Sequence, residues 1–272
     1  MKHHAKLTRE IREGPEGPKV GAFFDVDRTL LAGFSASAFV RERFLSGRAS
    51  PREMAGSLVG GLSFALGRTG FSAFVSAHTA AYRGLAESML EELGAEVFEK
   101  HLAQEIYPEA RAIVRAHQER GHTVAIVSSA MPFQVEPLAR DLGIEHVLCT
   151  RLEAENGVLT GRIIHPACYG QGKLTAGEEL AEQHDLDLDA SYFYTDSVAD
   201  LPLLENVGNP RPLNPDRCGA FTAGARPASK SWRARPWPSA ASFRRPSPGW
   251  PWGCSTARRA TASTSRGRCG EI

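Results

Sequence analysis

The chain has 272 residues, of which 42% are hydrophobic and 23% are charged, and its formal net charge is +1. Such a chain can bury a real core and form one large domain, or a core with a smaller domain. Its five cysteines include no C-x-x-C pair, so neither a zinc site nor a disulfide framework is indicated. No apolar run reaches the roughly 18 residues that a membrane span needs, so we expect no transmembrane segment.

The first 19 residues, MKHHAKLTREIREGPEGPK, are polar and are interrupted by glycine and proline. They contain no apolar stretch of the kind found in signal peptides. We therefore expect residues 1–19 to be a flexible leader and the protein to be cytoplasmic.

The first predicted strand, VGAFFDV at residues 20–26, ends on two aspartates. Because side chains alternate along a strand, Asp25 and Asp27 point to the same side, with Val26 opposite. Two carboxylates placed together repel each other, and a divalent cation with oxygen ligands is the simplest group that would hold them.

Residues 34–105 contain several stretches with apolar residues three or four positions apart, as a helical bundle requires. We predict a helical cap domain over this range. A cap of this kind would close over a site, exclude water and select the leaving group of the substrate.

Strand-like and helix-like segments then alternate. Strands are predicted at 123–129 and 191–196, and helices at 108–121, 132–143 and 173–185. An edge strand and a β-hairpin about Asn156-Gly157 are predicted within 146–170. The alternation predicts an α/β fold, with a Rossmann-like doubly wound parallel sheet as the core and helices on both faces. The core would comprise residues 20–33 and 106–216, with the cap inserted.

The composition changes abruptly near residue 217. Residues 217–272 carry a charge of about +10, which leaves about −9 for the rest. They contain all four tryptophans and no Leu, Val or Met, so we predict a basic, low-complexity, disordered tail. Arginine interleaved with tryptophan could bind nucleic acid, but basicity without a fold is weak support. An out-of-frame translation of a GC-rich gene would give the same composition.

Polar residues lie where predicted strands end. Asp25 and Asp27, Ser128, and Asp196 each occupy such a position, and ligands of open parallel sheets bind at the carboxyl ends of the strands. We therefore expect three distant segments to converge on one crevice. Taken alone, Asp25, Asp27 and Thr29 could equally cap the following helix, which is a common use of these residues.

The chain resembles the haloacid dehalogenase (HAD) superfamily of phosphohydrolases, and within it the phosphoserine-phosphatase-like branch (subfamily IB). Four ordered motifs carry the resemblance: DVDRTL at 25–30, Ser128 in VAIVSS, Lys173 in YGQGKL, and YTDSVADLPLLENVGNPRPLNPD at 194–216. The match spans about residues 20–216. A single D-x-D-x-T motif is weak evidence, whereas four motifs in order are specific.

The resemblance implies a role for each catalytic candidate. Asp25 would be the nucleophile that forms an aspartyl-phosphate, and Asp27 would protonate the leaving alcohol and then activate water. Thr29 would hold the loop. Ser128 would donate a hydrogen bond to a phosphate oxygen, and Lys173 would neutralise the phosphoryl group and Asp25.

The resemblance also implies Mg²⁺ as the cofactor. The candidate ligands are Asp25, Asp27, Asp196 and Asp200. Asp196 would bind the ion directly, whereas Asp200 would act behind it, through water or Lys173.

Two departures from the phosphoserine phosphatases bear on the substrate. Those enzymes place a glutamate nine residues after the nucleophile to hold the substrate ammonium, and this chain has Phe34 there. They also favour Ser after the second aspartate and Gly-Gly after the second-motif serine, where this chain has Arg28 and Ser129-Ala130. Both differences argue against phosphoserine.

The sequence therefore predicts a Mg²⁺-dependent phosphatase for a phosphomonoester of a small metabolite or a lipid-derived phosphate. A phosphotransferase with the same aspartyl-phosphate is the nearest alternative. A noncatalytic binding protein is a further alternative, against which the intact Asp25, Asp27, Lys173 and Asp196 argue. Nucleic-acid binding depends only on the tail, and the oligomeric state is left open.

Overall fold

The computed structural model describes residues 2–47, 59, 75–76 and 78–213. The strands within these residues are β1 (Gly21–Phe24), β2 (Thr123–Ser128), β3 (His146–Cys149), β4 (Leu152–Glu155), β5 (Val158–Ile163), β6 (Tyr192–Thr195) and β7 (Asn209–Pro212). Five of them form a parallel sheet in the order β3-β2-β1-β6-β7, and β4 and β5 form a separate antiparallel hairpin. The predicted α/β class, the parallel sheet, the edge strand and the hairpin are confirmed.

The helices are α1 (Lys2–Glu13), α2 (Ser35–Leu45), α3 (Glu87–Val97), α4 (Pro108–Glu119), α5 (Pro132–Leu142), α6 (Gln171–His184) and α7 (Leu201–Leu204). Single helical turns occur at Ala80–Tyr82, Phe98–Leu102, Ala103–Glu105 and Val198–Asp200. The helices α4, α5 and α6 coincide with the three predicted from the sequence after the cap.

The central strand β1 shows how the apolar residues build the core. Ala22, Phe23 and Phe24 are fully buried. Because side chains alternate along a strand, Phe23 and Phe24 enter the hydrophobic layers on opposite faces of the sheet. Burial of each phenyl ring contributes about 2 kcal/mol. The sheet is therefore fixed from both sides, and the carboxyl end of β1 is held in place for the residues that follow.

The chain crosses between the sheet and the cap region at two adjacent points. Leu31 pairs with Ile106, and the N–H of Tyr107 donates to the carbonyl of Leu30 at 3.0 Å. The segments that leave and return to the sheet are thus joined side by side. The division into a core of 20–33 and 106–216 and a cap of 34–105 remains a prediction.

The described part of the cap region packs on the core through aromatic residues. The rings of Phe39 and Tyr82 lie 4.7 and 5.7 Å from the ring of Phe133 in α5. The β4–β5 hairpin also contacts this region, where the N–H of Gly84 donates to the carbonyl of Leu159 at 2.8 Å. Helices α2 and α3 agree with the helical character predicted for the cap, while most of 48–77 lies outside the described residues.

The expectation of a flexible leader was wrong for most of its length. Residues Lys2–Glu13 form helix α1, in which Leu7 and Ile11 are 7% and 1% exposed. These two side chains lie four positions apart on one face of the helix and join the core cluster that includes α4. Burial of that face stabilises a helix whose remaining residues are polar.

The predicted tail at 217–272 lies outside the described residues, as do three of the five cysteines. The other two, Cys149 and Cys168, are free thiols. No helix within the described residues is both long and apolar enough to cross a membrane.

Candidate active site

The parallel sheet brings the predicted site residues to one edge. Asp25 directly follows β1, Ser128 is the last residue of β2, and Asp196 directly follows β6. Strands β2 and β6 both pair with β1, one on each side. The three side chains are buried, with 7%, 2% and 7% exposure. The convergence that the strand ends predict is therefore present.

The ammonium group of Lys173 lies at the centre of the site. Its Nζ donates to Oδ1 of Asp25 at 2.6 Å and to Oδ2 of Asp200 at 2.7 Å. Lys173 is only 3% exposed. Burial by itself would lower the pKa of Lys173, but the two carboxylates outweigh burial and raise it. The lysine therefore stays charged and holds the two aspartates.

The geometry of the chain at the start of α6 explains how Lys173 reaches this position. Gly170 adopts a φ of 53°, and a Cβ on Gly172 would lie 1.9 Å from the carbonyl oxygen of Ala167. Only glycine permits so close an approach of two backbone segments. The glycines therefore let α6 begin close to the sheet, so that the side chain of Lys173 points into the site.

The pKa of Asp25 lies above the usual range of an aspartate. Burial raises its pKa to about 6; the charge of Asp200, and less so that of Asp27, adds to this, while Lys173 opposes it. Its Oδ2 also accepts a bond from Oγ1 of Thr29 at 3.2 Å. The carboxylate is thus oriented by a hydroxyl on one side and by an ammonium on the other.

Asp27 is held separately from Asp25. Its Oδ1 accepts a hydrogen bond from the N–H of Ser35 at 2.7 Å. Burial raises the pKa of Asp27, although the bond from Ser35 and the charge of Lys173 oppose this. A carboxyl with a raised pKa can carry a proton and give it up, which a general acid requires.

Asp196 pairs with an arginine at the rim of the site. Nη1 of Arg28 lies 3.1 Å from Oδ2 of Asp196. Burial raises the pKa of Asp196 to about 7, with help from the negative charge of Asp25, even though Arg28 opposes the rise. The negative charge of Asp25 thus acts on a second buried carboxylate, that of Asp196.

Asp200 is engaged by two hydrogen-bond donors. Its Oδ2 accepts bonds from Lys173 at 2.7 Å and from Oγ1 of Thr195 at 2.5 Å. Asp200 is 1% exposed. Its side chain therefore fixes Lys173, which agrees with a supporting role and does not favour Asp200 as a direct metal ligand.

The carboxylates of the site are compatible with magnesium binding. Among the described residues, no group of three or more His, Cys, Asp or Glu side chains is arranged to hold a metal by itself. Magnesium, however, commonly uses only one or two carboxylates and takes its other ligands from water and substrate phosphate. Asp25 and Asp196 are two buried oxygen donors of like charge, and they fit that pattern. The residues present therefore suit Mg²⁺, with water or substrate phosphate completing its coordination.

Ser128 has the position expected for an anion-binding hydroxyl. Its Oγ accepts a bond from the N–H of Ala130 at 3.2 Å. Because the oxygen acts as acceptor in that bond, the hydroxyl proton remains available to a ligand. The neighbouring Ser129 is less buried, so Ser128 is the better candidate of the two.

Comparison with known proteins identifies the family. Residues 22–205 match the family model described as haloacid dehalogenase-like hydrolase. The chain belongs to this family. The predicted membership in the HAD superfamily is confirmed, and the protein is a HAD-type hydrolase.

Individual relatives place the chain among the phosphatases of the family. A probable phosphatase of Mycobacterium tuberculosis is 33% identical over 202 residues, which cover 73% of this chain and 70% of that protein. A phosphoserine phosphatase of the same bacterium is 32% identical over 217 residues, or 75% and 68% of the two chains. A solved structure of a protein of unknown function from Bordetella pertussis Tohama I is 27% identical with a TM-score of 0.71, covering 77% of this chain and 96% of that one.

Sequence reasoning missed three contacts that shape the site. They are the N–H of Ser35 on Asp27, the hydroxyl of Thr195 on Asp200, and the guanidinium of Arg28 on Asp196. The first involves a backbone group, and the second involves a residue of the fourth motif to which the sequence assigned no role. The third had a signal, because Arg28 stands where the related phosphatases favour serine.

Proposed function

We propose that this HAD-type hydrolase cleaves a phosphomonoester of a small metabolite through an aspartyl-phosphate on Asp25, with Mg²⁺ as cofactor. The observation that carries the proposal is the buried contact of Lys173 with Asp25 at 2.6 Å and with Asp200 at 2.7 Å. An ammonium held beside an oriented carboxylate can stabilise the negative charge of a phosphoryl group that the carboxylate attacks.

The first step would be attack of an Asp25 carboxylate oxygen on phosphorus. The bond between phosphorus and the leaving oxygen breaks, and the proton of Asp27 goes to that oxygen, so an alcohol departs. Lys173 and the hydroxyl of Ser128 would hold the phosphoryl oxygens during the transfer. The raised pKa of Asp27 favours the protonated form that this step requires.

The second step would return Asp25 to its starting state. Asp27, now ionised, takes a proton from water as the water oxygen attacks phosphorus, and the bond between phosphorus and Asp25 breaks to release inorganic phosphate. Magnesium bound at Asp25 and Asp196 would neutralise the charge that accumulates when the phosphate lies beside these carboxylates. Asp200 and Thr29 would keep Lys173 and Asp25 in position.

Phe34 bears on the substrate. It immediately precedes Ser35, whose N–H contacts Asp27, and its side chain is 55% exposed. Position 34, next to the residue that binds Asp27, thus carries a phenyl ring instead of a carboxylate. We infer that the leaving group has no ammonium to be bound there, in contrast to phosphoserine. An apolar or uncharged alcohol, including a lipid-derived one, fits this position better.

The test is a panel of phosphomonoesters assayed for phosphate release by the full-length chain with Mg²⁺. The panel includes phosphoserine, glycerol phosphates and p-nitrophenyl phosphate, and Asp25→Asn is the control variant. We expect the variant to lose more than about two orders of magnitude in kcat, because the covalent route is removed. Full activity of Asp25→Asn would overturn the mechanism. Product formed with an added alcohol acceptor would identify a phosphotransferase instead.

The inference about Phe34 has its own variant, Phe34→Glu. If Phe34 excludes substrate ammonium groups, this variant should hydrolyse phosphoserine better relative to glycerol phosphate than the wild type does. An unchanged ratio of the two kcat/KM values would contradict the assignment of Phe34 to the leaving-group side.

A further inference from the structure

Arg28, which lies between Asp27 and Thr29, has an unusual backbone conformation. Arg28 adopts a φ of 63°, in the left-handed region that residues other than glycine seldom occupy. Its N–H donates to the carbonyl of Gly33 at 3.2 Å, which closes the loop around it. Unfavourable backbone conformations of this kind persist where surrounding structure enforces them, often at functional sites. The conformation turns the Arg28 side chain toward the mouth of the site.

Arg28 pairs with Asp196, whereas Lys173 donates its hydrogen bonds to two other aspartates. Nη1 of Arg28 is 3.1 Å from Oδ2 of Asp196, whereas the contacts of Lys173 are with Asp25 and Asp200. Within the described part of the chain, the site thus contains two side-chain cations, and each of them pairs with different carboxylates. Asp196 is also one of the two residues that would hold magnesium.

The two cations differ in how easily they can move. The side chain of Lys173 is 3% exposed and is enclosed by its two aspartates. The side chain of Arg28 is 35% exposed, so its guanidinium can be hydrated when another cation replaces it at the buried Asp196. Lys173 is therefore a fixed part of the site, while Arg28 is an exchangeable one.

We propose that Arg28 is a positioning residue that occupies Asp196 in the metal-free protein and is displaced when Mg²⁺ binds. The inference rests on the proposed magnesium site. A guanidinium and a divalent cation compete for the same buried carboxylate oxygens, because both are attracted by the same charge. Arg28 would thereby keep Asp196 paired before the metal arrives and would set the affinity for Mg²⁺ lower than the carboxylates alone would give.

The experiment measures Mg²⁺ binding by calorimetry on the full-length chain without substrate, in the wild type, Arg28→Gln and Arg28→Lys. Arg28→Gln should bind Mg²⁺ about fivefold more tightly, because the competing charge is gone. Arg28→Lys, which keeps a charge but has no planar fork, should fall between the other two proteins. Arg115→Gln is the matched control for net charge, since Arg115 is 79% exposed on α4. It should bind Mg²⁺ as the wild type does.

Thermal unfolding provides a second readout that does not involve activity. Without Mg²⁺, Arg28→Gln should unfold at a lower temperature than the wild type, and addition of Mg²⁺ should raise its unfolding temperature by more. Equal or weaker Mg²⁺ affinity in Arg28→Gln would overturn the role of Arg28. Absence of Mg²⁺ binding in the wild type, or unchanged binding in Asp196→Asn, would instead overturn the proposed metal site.

Discussion

The ammonium of Lys173 lies 2.6 Å from Oδ1 of Asp25, although 148 residues separate them in the sequence. Neither side chain would be stable alone at this depth, because a buried charge without a partner is costly. The pair therefore links the first strand of the sheet to helix α6 and also sets the charge of the site. The proposed catalytic role and the structural role therefore coincide at this contact.

Replacement of Lys173 by methionine tests the structural role through the pH dependence of stability. We expect Lys173→Met to lose on the order of 3 kcal/mol in the free energy of unfolding at pH 7.5, because buried carboxylates are left unpaired. The loss should be smaller at pH 5. The pKa of Asp25, already about 6 and held down by Lys173, rises further in the variant, so the carboxyl is protonated there.

Urea unfolding at the two pH values measures the effect of Lys173→Met. Lys19→Met is the control, because Lys19 pairs with Asp185 and the two side chains are 70% and 83% exposed. That variant should change the free energy of unfolding far less. Equal losses in the two variants would mean that the Lys173 pairs contribute no more than surface ion pairs.

The convergence of Asp25, Ser128 and Asp196 was predictable because each ends an apolar run of strand length. In a parallel sheet the carboxyl ends of all strands lie at the same edge, so residues that follow different strands come close together there. Lys173 could be added only through the resemblance to a family. Its place depends on the close approach of Gly172 to Ala167, which no periodicity reveals.

Other parts of the fold were not predicted, for different reasons. Helix α1 did carry a signal, since Leu7 and Ile11 lie four positions apart in a polar stretch. Strand β7 has the sequence NPRP, and a strand with two prolines is tolerated only at a sheet edge, which local sequence cannot identify. The pairing of Arg28 with Asp196 depends on a left-handed backbone at Arg28, and the sequence favours no such conformation for arginine.

The role of Asp27 can be tested through the leaving group. Asp27→Asn retains an oxygen that can accept the N–H of Ser35, so the loop should keep its structure. Asparagine cannot donate a proton to a departing alkoxide, and we expect kcat/KM for glycerol phosphate, which reports the first step, to fall by about two orders of magnitude. The loss for p-nitrophenyl phosphate should be much smaller, because nitrophenolate leaves without a proton.

Comparison of kcat/KM for the two substrates is the measurement for Asp27→Asn, because kcat also contains the second step, in which Asp27 acts on water whatever the leaving group. Asp141→Asn serves as control, because Asp141 pairs with Arg111 on the surface and should not affect either substrate. Equal loss for both substrates would contradict a role for Asp27 as general acid.

The close contact at the start of α6 predicts the effect of a single methyl group. A Cβ at Gly172 would lie 1.9 Å from the backbone oxygen of Ala167, so Gly172→Ala must shift the first turn of α6 and with it Lys173. Displacement of a catalytic group by about 1 Å can cost up to about a hundredfold in rate, and we expect kcat to fall at least tenfold. Gly177→Ala is the control in the same helix. Its nearest neighbour is a side-chain atom of Leu203 at 3.1 Å, which can move, so kcat should change little.

A chain of buried hydrogen bonds beneath the sheet predicts a loss of stability at acid pH. His122 Nε2 is 2.9 Å from the carbonyl oxygen of Pro15, His117 Nδ1 is 2.7 Å from His122 Nδ1, and His117 Nε2 is 2.9 Å from Oη of Tyr194. A carbonyl can only accept, so His122 Nε2 carries the hydrogen. It follows that His117 donates to His122 and accepts from Tyr194, with both rings neutral. Burial lowers the pKa of both histidines, His117 the more strongly.

The sign of the pH dependence follows from these lowered values. Below the ordinary histidine pKa of about 6.5 the unfolded chain binds protons that the folded chain does not, so stability is complete above that pH and declines as pH falls. In His122→Gln one of these groups is absent, and the glutamine can still donate to Pro15. We therefore expect its free energy of unfolding to fall less than that of the wild type between pH 7.5 and pH 5.5. Urea unfolding at both pH values measures this difference, with the exposed His165→Gln as a control that should follow the wild type. An equal decline in His122→Gln and the wild type would show that the histidine chain does not control acid stability.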